Sequence, residues 1–306
     1  MNTSFTFDVV IPTCNNLQEL KACLRGLARQ TLQGFRVLVC VDGSQDGTIE
    51  YLTDSRFPFV LQTLMHPGGI RKGRAATRNL CLPFLRSKYV CFLDSDIRPA
   101  EGLLEAHLNL MEKEDCMSLG EILYTVSGDA SVSFYLQSRG RGKYKHGDSI
   151  PGYGLTTGNV AFQARHFIQA RGMDERFGLS YGGEDTDLGY RLSKTNRLKT
   201  IVNKMAMGHV LYEKPLSNWM HQLQEFGQTN LHYLRKKHPE LVELFRMDLL
   251  ESRSPIGWVI RIFIHPTFCA NLEKTIPVVP RIVRNQILHV LVFLNIGLGY
   301  LNVKSE

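Results

Sequence analysis

The chain has 306 residues, of which 43% are hydrophobic and 21% charged, and this composition excludes a disordered or collagen-like protein. Seven cysteines without a C-x-x-C pair argue against a disulfide framework or a cysteine-ligated zinc site, and reduced thiols favour a cytoplasmic protein. The net charge of +7 suits nucleic acid, anionic lipid or an acidic polymer, but no zinc-finger, RRM or helix-turn-helix pattern accompanies it, so we expect no nucleic-acid partner.

The first hundred residues alternate between strand-like and helix-like segments. Short apolar runs that end at turn residues predict strands at residues 7–11, 35–41 and 89–93. Apolar residues at helical spacing predict helices at residues 17–30, 49–52 and 71–85. Near-continuous apolar strands between helices indicate a mostly parallel sheet that is covered on both faces.

Each of the three predicted strands is followed by residues that suit a ligand site. Pro12, Asp42 and Asp94 come directly after the three apolar runs. Because ligands of open α/β sheets bind beyond the carboxyl ends of the strands, we expect these residues to lie at one edge of the sheet.

The Asp94-Ser95-Asp96 triplet is the first candidate metal site. Two carboxylates two residues apart at a strand end can share a hard cation such as Mg²⁺ or Mn²⁺, which prefers oxygen ligands and often bridges to substrate phosphates. The alternative is a solvated turn, and for the triplet taken alone that alternative is favoured.

Two glycine-containing segments could bind other parts of a nucleotide. In the turn after Val41, Asp42 could accept hydrogen bonds from a ribose or base, although a plain turn in which Asp46 or Thr48 caps the next helix is the alternative. The basic segment 66–74, which includes Arg71, could hold a diphosphate, with a solvated basic loop as the alternative.

The order of these motifs is more specific than any one of them. IPTCNN, VCVDGSQDGT, GRAATRN and VCFLDSDIRP follow one another over about residues 7–100, and this series resembles the nucleotide-sugar half of family 2 glycosyltransferases, which have the GT-A fold. The resemblance implies that Pro12 and Asp42 contact the nucleoside, that Arg78 lies near the donor, and that Asp94 and Asp96 bind the metal. We also assign Arg71 and Ser95 to the donor site.

The second half of the chain carries a motif for the acceptor. After a predicted helix at residues 101–113, the segment YGGEDTDL at 181–188 is predicted to be a tight turn that leads into a helix. It resembles the W-G-G-E-D-x-D-L segment of β-1,4-galactosyltransferases and of polypeptide and chondroitin-type transferases, with Tyr181 in place of the tryptophan. The resemblance implies that Tyr181 stacks on an acceptor sugar, that Glu184 binds the acceptor and that Asp185 is the general base.

The chemistry agrees with this assignment without the resemblance. An acceptor hydroxyl that displaces a nucleoside diphosphate must lose its proton, and one carboxylate within hydrogen-bonding reach is sufficient to take it. Acidic residues that complement the dipole of a helix N-terminus are the alternative, and both can hold together.

His209 is the candidate third metal ligand. The resemblance implies it, because related GT-A enzymes take a third metal ligand from a histidine that follows the base motif. Imidazole is a reasonable ligand for Mn²⁺ beside carboxylates. A structural histidine is the alternative.

A glycine-rich basic segment precedes the acceptor motif. Arg139, Arg141, Lys143 and Lys145 alternate with other residues in the segment 138–150, and three glycines at positions 140, 142 and 147 could serve as hinges. The segment could close as a lid over the donor diphosphate, and a solvated surface loop is the equally weighted alternative.

The C-terminal region is basic and predicted to be mainly helical from Pro215 onward. Residues 253–306 contain six Lys or Arg and two Glu, which gives +4, and residues 285–303 contain no charged side chain. Several Asn, Gln and His residues in that stretch argue against a membrane span. We expect an amphipathic helix that lies on an anionic membrane or packs on the domain, with a second amphipathic piece at residues 258–264.

These observations predict an α/β protein of the GT-A fold with a helical C-terminal extension. We expect residues 1–100 to bind the nucleotide sugar, 101–212 to bind the acceptor and 213–306 to form the extension. The predicted activity is inverting, metal-dependent transfer of one sugar from a UDP-sugar to a hydroxyl of a glycan or glycolipid. A non-catalytic subunit of a polysaccharide synthase complex is the alternative. The N-terminus lacks signal-peptide features, which predicts a cytoplasmic protein, with peripheral contact to the inner face of the membrane.

Overall fold

The computed structural model of the protein describes residues 5–124, 132–133, 135–136, 143–212, 214–246 and 248–302. These residues divide into two compact units. The first contains residues 5–124, 143–179 and 184–212, and the second contains residues 132–133, 135–136, 180–183, 214–246 and 248–302.

The first unit is built on one mixed sheet. In chain order its described strands are β1 (Phe7–Thr13), β2 (Phe35–Val41), β3 (Val60–Met65), β4 (Tyr89–Leu93), β5 (Ile97–Pro99), β6 (Cys116–Tyr124), β7 (Ser149–Ile150), β8 (Asn159–Gln163) and β9 (Lys199–Val210). The spatial order is β3-β2-β1-β4-β8-β6-β9-β5, with β7 paired to β9. The strands of the first hundred residues that precede β5 are parallel, as predicted, whereas β8 is antiparallel to both of its neighbours.

Apolar side chains cover both faces of this sheet. Along β1, Val9 belongs to one buried cluster and Val10 to another, since successive residues of a strand point to opposite faces. We name these the α1-side cluster and the α3-side cluster, after helix α1 (Leu17–Leu27) and helix α3 (Arg74–Asn79), which contribute residues to them. The continuous apolar runs read from the sequence are therefore strands buried on both faces.

Helices of the first unit pack on the two faces. They are α1 (Leu17–Leu27), α2 (Thr48–Asp54), α3 (Arg74–Asn79), α4 (Leu103–Met111), α5 (Ala164–Gln169) and α6 (Glu184–Thr195). The first, second and fourth contribute buried residues to the α1-side cluster, and the third, fifth and sixth to the α3-side cluster. The start of α6 therefore lies on the same side of the sheet as α3.

The predicted helix at residues 71–85 was wrong in length. It begins only at Arg74, after Gly73 with a φ of +93°, and it ends at Asn79. A 3₁₀ turn at Leu82–Phe84 follows, because Pro83 cannot continue an α-helix. Asp46 interacts with the starts of two helices: its Oδ1 accepts the hydroxyl of Thr48 at 2.6 Å at the start of α2, and its Oδ2 accepts the N–H of Leu17 at 2.8 Å at the start of α1.

A bulge interrupts the pairing of β6 with β9. Gly120 pairs with Asn203, but the next residue, Glu121, pairs with Met207, so residues 204–206 are extra. Nδ2 of Asn159 donates to the carbonyl oxygens of Glu121 at 3.0 Å and Ala206 at 2.9 Å, which satisfies the backbone groups that the bulge leaves unpaired. The bulge is thus held by a buried polar side chain.

The described part of the second unit is helical. Its α-helices are α7 (Leu216–Gln228), α8 (Asn230–Lys237), α9 (Asp248–Glu251), α10 (Pro255–Phe263), α11 (Pro266–Thr275) and α12 (Arg281–Leu301). Gly227 of α7 and Gly299 of α12 let these two helices cross closely, because a Cβ on either would overlap a backbone carbonyl of the other helix. Asn295 is buried at this crossing, and Oδ1 accepts from Nε2 of Gln224 at 2.6 Å.

For the described part of the uncharged stretch, residues 285–302, the structure favours packing within the second unit. Leu288, Leu291 and Leu298 of α12 are buried. Among the described residues, no helix has both the length and the apolar character needed to cross a bilayer.

Candidate active site

A cavity of about 250 Å³ opens at the carboxyl ends of β1, β2 and β4. It lies within the first unit and is lined by Pro12, Thr13, Cys14, Asn16, Asp42, Arg74, Thr77, Arg78, Asp94, Ser95 and Asp96. Six of the predicted site residues are therefore brought together, which are Pro12, Asp42, Arg78, Asp94, Ser95 and Asp96. Arg71 is not part of the lining; its side chain is 63% exposed, and Nε lies 3.8 Å from Oδ2 of Asp42.

Asp42 is buried and anchors the glycine-rich loop that follows β3. Its Oδ1 accepts the N–H of Lys72 at 2.7 Å, and its Oδ2 accepts the N–H of Gly73 at 3.0 Å. Gly73 is required here because φ is +93° and a Cβ would overlap the carbonyl of Gly178. The carboxylate thus shapes the cavity wall in addition to lining it.

His66 contributes less charge to this loop than its sequence suggests. Burial lowers its pKa, and the neighbouring carboxylate of Asp42, whose Oδ1 lies 3.7 Å from Nε2, opposes that effect only in part. The imidazole is therefore neutral at pH 7, and the positive charge of segment 66–74 comes from Arg71, Lys72 and Arg74.

Arg78 is the electrostatic centre of the site. Its guanidinium is buried, and Nη2 lies 2.6 Å from Oδ1 of Asp94. Burial alone would lower the pKa of Arg78, but the negative charges of Asp94, Asp185 and Glu184 raise it above its ordinary value. A buried cation among three carboxylates is a pattern concentrated at functional sites.

Two hydrogen bonds to other parts of the first unit hold the Asp94-Ser95-Asp96 turn in place. The N–H of Asp94 donates to the carbonyl of Gly158 at 3.0 Å. Nδ2 of Asn16 donates to Oγ of Ser95 at 2.6 Å. Asn16 is a cavity residue that the sequence interpretation did not single out, although it belongs to the IPTCNN motif.

The two aspartates fit a cation that shares a diphosphate. Asp94 and Asp96 both line the cavity with oxygen donors. In the described ranges, no group of three or more His, Cys, Asp or Glu side chains is placed to hold a metal. Hard cations such as Mg²⁺ are commonly held by one or two carboxylates together with substrate phosphates, so the set suits a metal that binds with the donor.

His209 lies outside the cavity lining. It is in β9 opposite Arg98 of β5, and its neighbours Ala206 and Val210 belong to the α1-side cluster. Alternation along the strand therefore turns His209 toward the face of the sheet that carries α3 and α6.

Glu184 and Asp185 are the first two residues of α6. Burial, followed by the negative charge of Asp185, raises the pKa of Glu184 to about 7, against the opposing charges of Arg78 and Arg74. Both oxygens of Asp185 are held by one residue: Oγ1 of Thr157 donates to Oδ1 at 2.6 Å, and the N–H of Thr157 donates to Oδ2 at 3.2 Å. No motif in the sequence pointed to Thr157.

Tyr181 belongs to the second unit. Nζ of Lys214 lies 5.1 Å from the centre of its ring, and Nδ2 of Asn230 donates to the carbonyl of Gly182 at 2.8 Å. The turn before the acidic motif is thus tied to the start of α8.

The predicted lid falls partly outside the described residues. Arg139 and Arg141 lie outside them, while Lys143 and Lys145 are described and exposed. Nζ of Lys143 lies 4.7 Å from the ring centre of Tyr144. The lid stays a prediction.

Two family models match the chain. The model for glycosyl transferase family 2 matches residues 8–168, and the model described as the N-terminal domain of galactosyltransferase matches residues 142–212.

Several curated relatives are glycosyltransferases. The chondroitin synthase of Escherichia coli is 25% identical over 223 residues, which cover 60% of this chain and 32% of that protein. The E. coli UDP-Glc:alpha-D-GlcNAc-diphosphoundecaprenol beta-1,3-glucosyltransferase WfgD is 26% identical over 114 residues, or 36% of this chain and 43% of that protein. The pre-mycofactocin glycosyltransferase of Mycobacterium tuberculosis is 29% identical over 198 residues, or 60% of this chain and 38% of that protein. This chain spans less than half the length of each of these relatives.

Solved structures share the fold across nearly the whole chain. The mannosyltransferase PcManGT of Pyrobaculum calidifontis, solved with GDP-Man and Mn²⁺, superposes with a TM-score of 0.66 at 14% identity and covers 99% of this chain and 88% of that chain. Residues 1–349 of S. aureus TarS, solved with UDP-GlcNAc, superpose with a TM-score of 0.54 at 14% identity, over 97% and 90% of the two chains. With these matches, the chain has the GT-A fold and belongs to glycosyl transferase family 2.

Proposed function

We propose that this enzyme is an inverting, metal-dependent glycosyltransferase that moves one sugar from a UDP-sugar to a hydroxyl of a glycan or glycolipid. The observation that carries the proposal is the position of Arg78, whose guanidinium pairs with Asp94 and is stabilised by the charges of Asp185 and Glu184. One buried cation thus connects the carboxylates proposed for the donor with those proposed for the acceptor. In this proposal residues 1–100 bind the donor, 101–212 bind the acceptor and 213–306 form an extension.

The proposed reaction is a single displacement. The acceptor hydroxyl attacks the anomeric carbon while the bond from that carbon to the diphosphate oxygen breaks, so the configuration is inverted. Asp185 takes the proton of the attacking hydroxyl, and Glu184 orients the acceptor beside it.

Other residues act on the donor in this proposal. Pro12 and Asp42 contact the nucleoside, and three further residues contact the rest of the donor: Arg71, Arg78 and Ser95. Mn²⁺ or Mg²⁺ held by Asp94 and Asp96, with His209 as a third ligand, would offset the charge on the departing diphosphate.

A family-model match and the names of two relatives support a glycan or glycolipid as the proposed acceptor. The galactosyltransferase model covers the segment that contains Glu184 and Asp185. The name of WfgD describes a diphosphoundecaprenol-linked acceptor, and that of the chondroitin synthase describes a glycan. We propose Tyr181 as a residue that stacks on the acceptor sugar.

The proposed surroundings of the enzyme are the cytoplasm and an anionic membrane surface. All seven cysteines are free thiols, which agrees with a reducing compartment. The positive charge of the C-terminal helices agrees with an anionic surface as their partner.

Release of UDP tests the proposal directly. The purified protein is incubated with Mn²⁺ and a panel of UDP-, GDP- and dTDP-sugars, with and without candidate glycan and glycolipid acceptors. We expect slow UDP release from one UDP-sugar alone and faster release with the right acceptor. Release from none of the UDP-sugars would contradict the proposal and favour a binding subunit.

The contact between Thr157 and Asp185 leads to a prediction about positioning. Thr157→Val removes the hydroxyl that donates to Oδ1 but keeps the shape, so we expect kcat to fall about tenfold, the scale of one hydrogen bond to a charged group. Thr157→Ser keeps the hydroxyl and is expected to retain most of the activity, with KM for the donor unchanged in both variants. Equal kcat values for the two variants would mean that Thr157 does not position Asp185.

The raised pKa of Glu184 leads to a prediction about stability. Because its pKa of about 7 lies above the ordinary value of 4.5, the folded state binds this proton more tightly than the unfolded chain does. The resulting contribution to stability is fully present below pH 4.5 and is lost as pH rises to 7. Glu184→Gln should therefore raise Tm by roughly 2–4 °C at about pH 8 and by less at about pH 5.

Thermal unfolding followed across this pH range measures the difference. Glu112→Gln changes an exposed glutamate of the same unit and should leave the Tm–pH profile of the wild type unaltered. A constant difference between Glu184→Gln and wild type at every pH would contradict the assignment. In transfer assays, Glu184→Gln should weaken acceptor binding more than donor binding.

A further inference from the structure

The face of helix α10 that carries Gly257 packs against the residues that precede the helix. Gly257 is buried, and a Cβ at this position would lie 2.6 Å from the carbonyl oxygen of Ser252 and 2.7 Å from that of Leu249. On the same side, Nη1 of Arg261 donates to the carbonyl oxygens of Leu250 at 2.7 Å and Ser252 at 2.8 Å. The helix is therefore held to residues 249–252 by the close approach at Gly257 and by hydrogen bonds from the Arg261 side chain to backbone carbonyls.

Its large apolar side chains point outward instead. Ile256, Trp258, Val259, Ile262 and Phe263 are between 45% and 68% exposed. At about 100° per residue they occupy one continuous arc of roughly 160° on the side opposite Gly257. This is the reverse of an ordinary surface helix, which buries its apolar face and exposes its polar one.

The segment that contains this face and follows it carries a net positive charge, whereas the preceding helix α9 carries Asp248 and Glu251, of which Glu251 is paired with Arg235. Between Ser252 and Leu272 the sequence has two arginines, Arg253 and Arg261, and no Asp or Glu. Over residues 252–302 there are five Lys or Arg and one Glu, which gives +4. An apolar arc that contains a tryptophan, in a positively charged region, is complementary to the interface of an anionic bilayer.

We propose that the outer face of α10 inserts into the interface of an anionic lipid bilayer. The inference rests on the proposed membrane partner and names α10, rather than the partly buried α12, as the contacting element. A bilayer is favoured over a second copy of this chain because two copies of a positively charged surface repel each other.

Tryptophan fluorescence can read the insertion directly. The chain has two tryptophans, and Trp219 is buried in the second unit whereas Trp258 is 62% exposed. With phosphatidylcholine vesicles that contain phosphatidylglycerol, we expect the emission of the full chain to shift to the blue and to be quenched by brominated acyl chains. No shift and no quenching in the wild type would overturn the membrane partner as well as the inference, and this result is independent of any sugar-transfer assay.

A triple variant tests the face itself. The variant combines Trp258→Ser, Ile262→Ser and Phe263→Ser. Its co-sedimentation with these vesicles should fall about tenfold or more, because three large apolar side chains that would transfer from water into the bilayer are gone. The matched control combines Val60→Ser and Ile168→Ser, two comparably exposed apolar residues of the first unit, and should bind like the wild type. Vesicles of pure phosphatidylcholine should bind the wild-type protein more weakly.

Two results would overturn the inference. One is undiminished vesicle binding by the triple variant, which would place the contact elsewhere in the chain. The other is a wild-type dimer in lipid-free solution that the triple variant converts to a monomer, which would make the face an interface between copies. If the triple variant does not fold, the quenching of Trp258 in the wild type still decides the question.

Discussion

Replacing Asp185 with asparagine is expected to lower kcat about 100-fold or more, the scale of general-base catalysis, and to leave donor affinity almost unchanged. The amide has the shape of the carboxylate but cannot accept the proton of the attacking hydroxyl. The local structure tolerates the change, because the hydroxyl of Thr157, which now donates to Oδ1, can rotate and accept a hydrogen bond from the amide.

Two measurements separate the chemistry from binding. A transfer assay gives kcat, and calorimetry with UDP and Mn²⁺ gives donor affinity. Asp54→Asn, which changes an exposed aspartate at the end of α2, is the control and should keep both values. Wild-type turnover in Asp185→Asn would refute the mechanism, and loss of UDP binding would mean that the substitution had disturbed the fold.

Removal of the metal is expected to abolish turnover. The leaving diphosphate carries several negative charges, and Arg78, the buried cation of the cavity, is already paired with Asp94. EDTA should therefore stop the reaction, added Mn²⁺ should restore it, and Asp96→Ala should lower kcat by about 100-fold or more.

The composition of the site also predicts an order of binding. Because Asp94 and Asp96 supply only part of a coordination shell, Mn²⁺ alone should bind weakly and should bind tightly once UDP is present. Calorimetry with Mn²⁺, with UDP and with both measures this coupling, and His209→Ala should reduce it. Full activity in EDTA would contradict metal dependence and would mean that Arg and Lys side chains alone hold the diphosphate.

The first half of the fold could be predicted because its signals are local. The apolar runs at residues 35–41 and 89–93 match β2 and β4 to the residue. Each run is followed by the residues that line the cavity, so the position of Asp42 and Asp94 at one edge required only the rule about strand ends.

The second half of the sheet could not be predicted because its strands contain buried polar residues. Nε2 of His107 donates to Oδ1 of Asn159 at 2.9 Å, and Nδ1 of His107 is hydrogen-bonded to Oγ of Ser118 at 2.8 Å. In the sequence, polar residues such as Ser118 and Asn203 interrupt the apolar pattern of β6 and β9. Their partners lie in other elements, and a local reading cannot supply them.

The same reason applies to α12 and to Thr157. In the sequence, Asn295 is one of the polar residues that argue against a membrane span. Its hydrogen-bonding partner, Gln224, lies 71 residues away in the chain and could not be identified from the sequence. Thr157 precedes Asp185 by 28 residues and comes within hydrogen-bonding distance of it only in the folded chain. Motifs identified the carboxylates, whereas the groups that orient them became visible only in three dimensions.

The three extra residues in β9 have a consequence for which insertions and deletions this strand can accept. Before the bulge, Ile201 faces the α1-side cluster, and after it Val210 does, so an odd number of extra residues exchanges the strand positions that face the α1-side and the α3-side clusters. Gain or loss of two residues would keep His209 on the face of the sheet that carries α3 and α6. Gain or loss of one would turn the imidazole toward the α1-side cluster and Gly208 away from it. Whether this stretch tolerates an insertion or a deletion therefore depends on whether the number of residues is even or odd more than on how many there are.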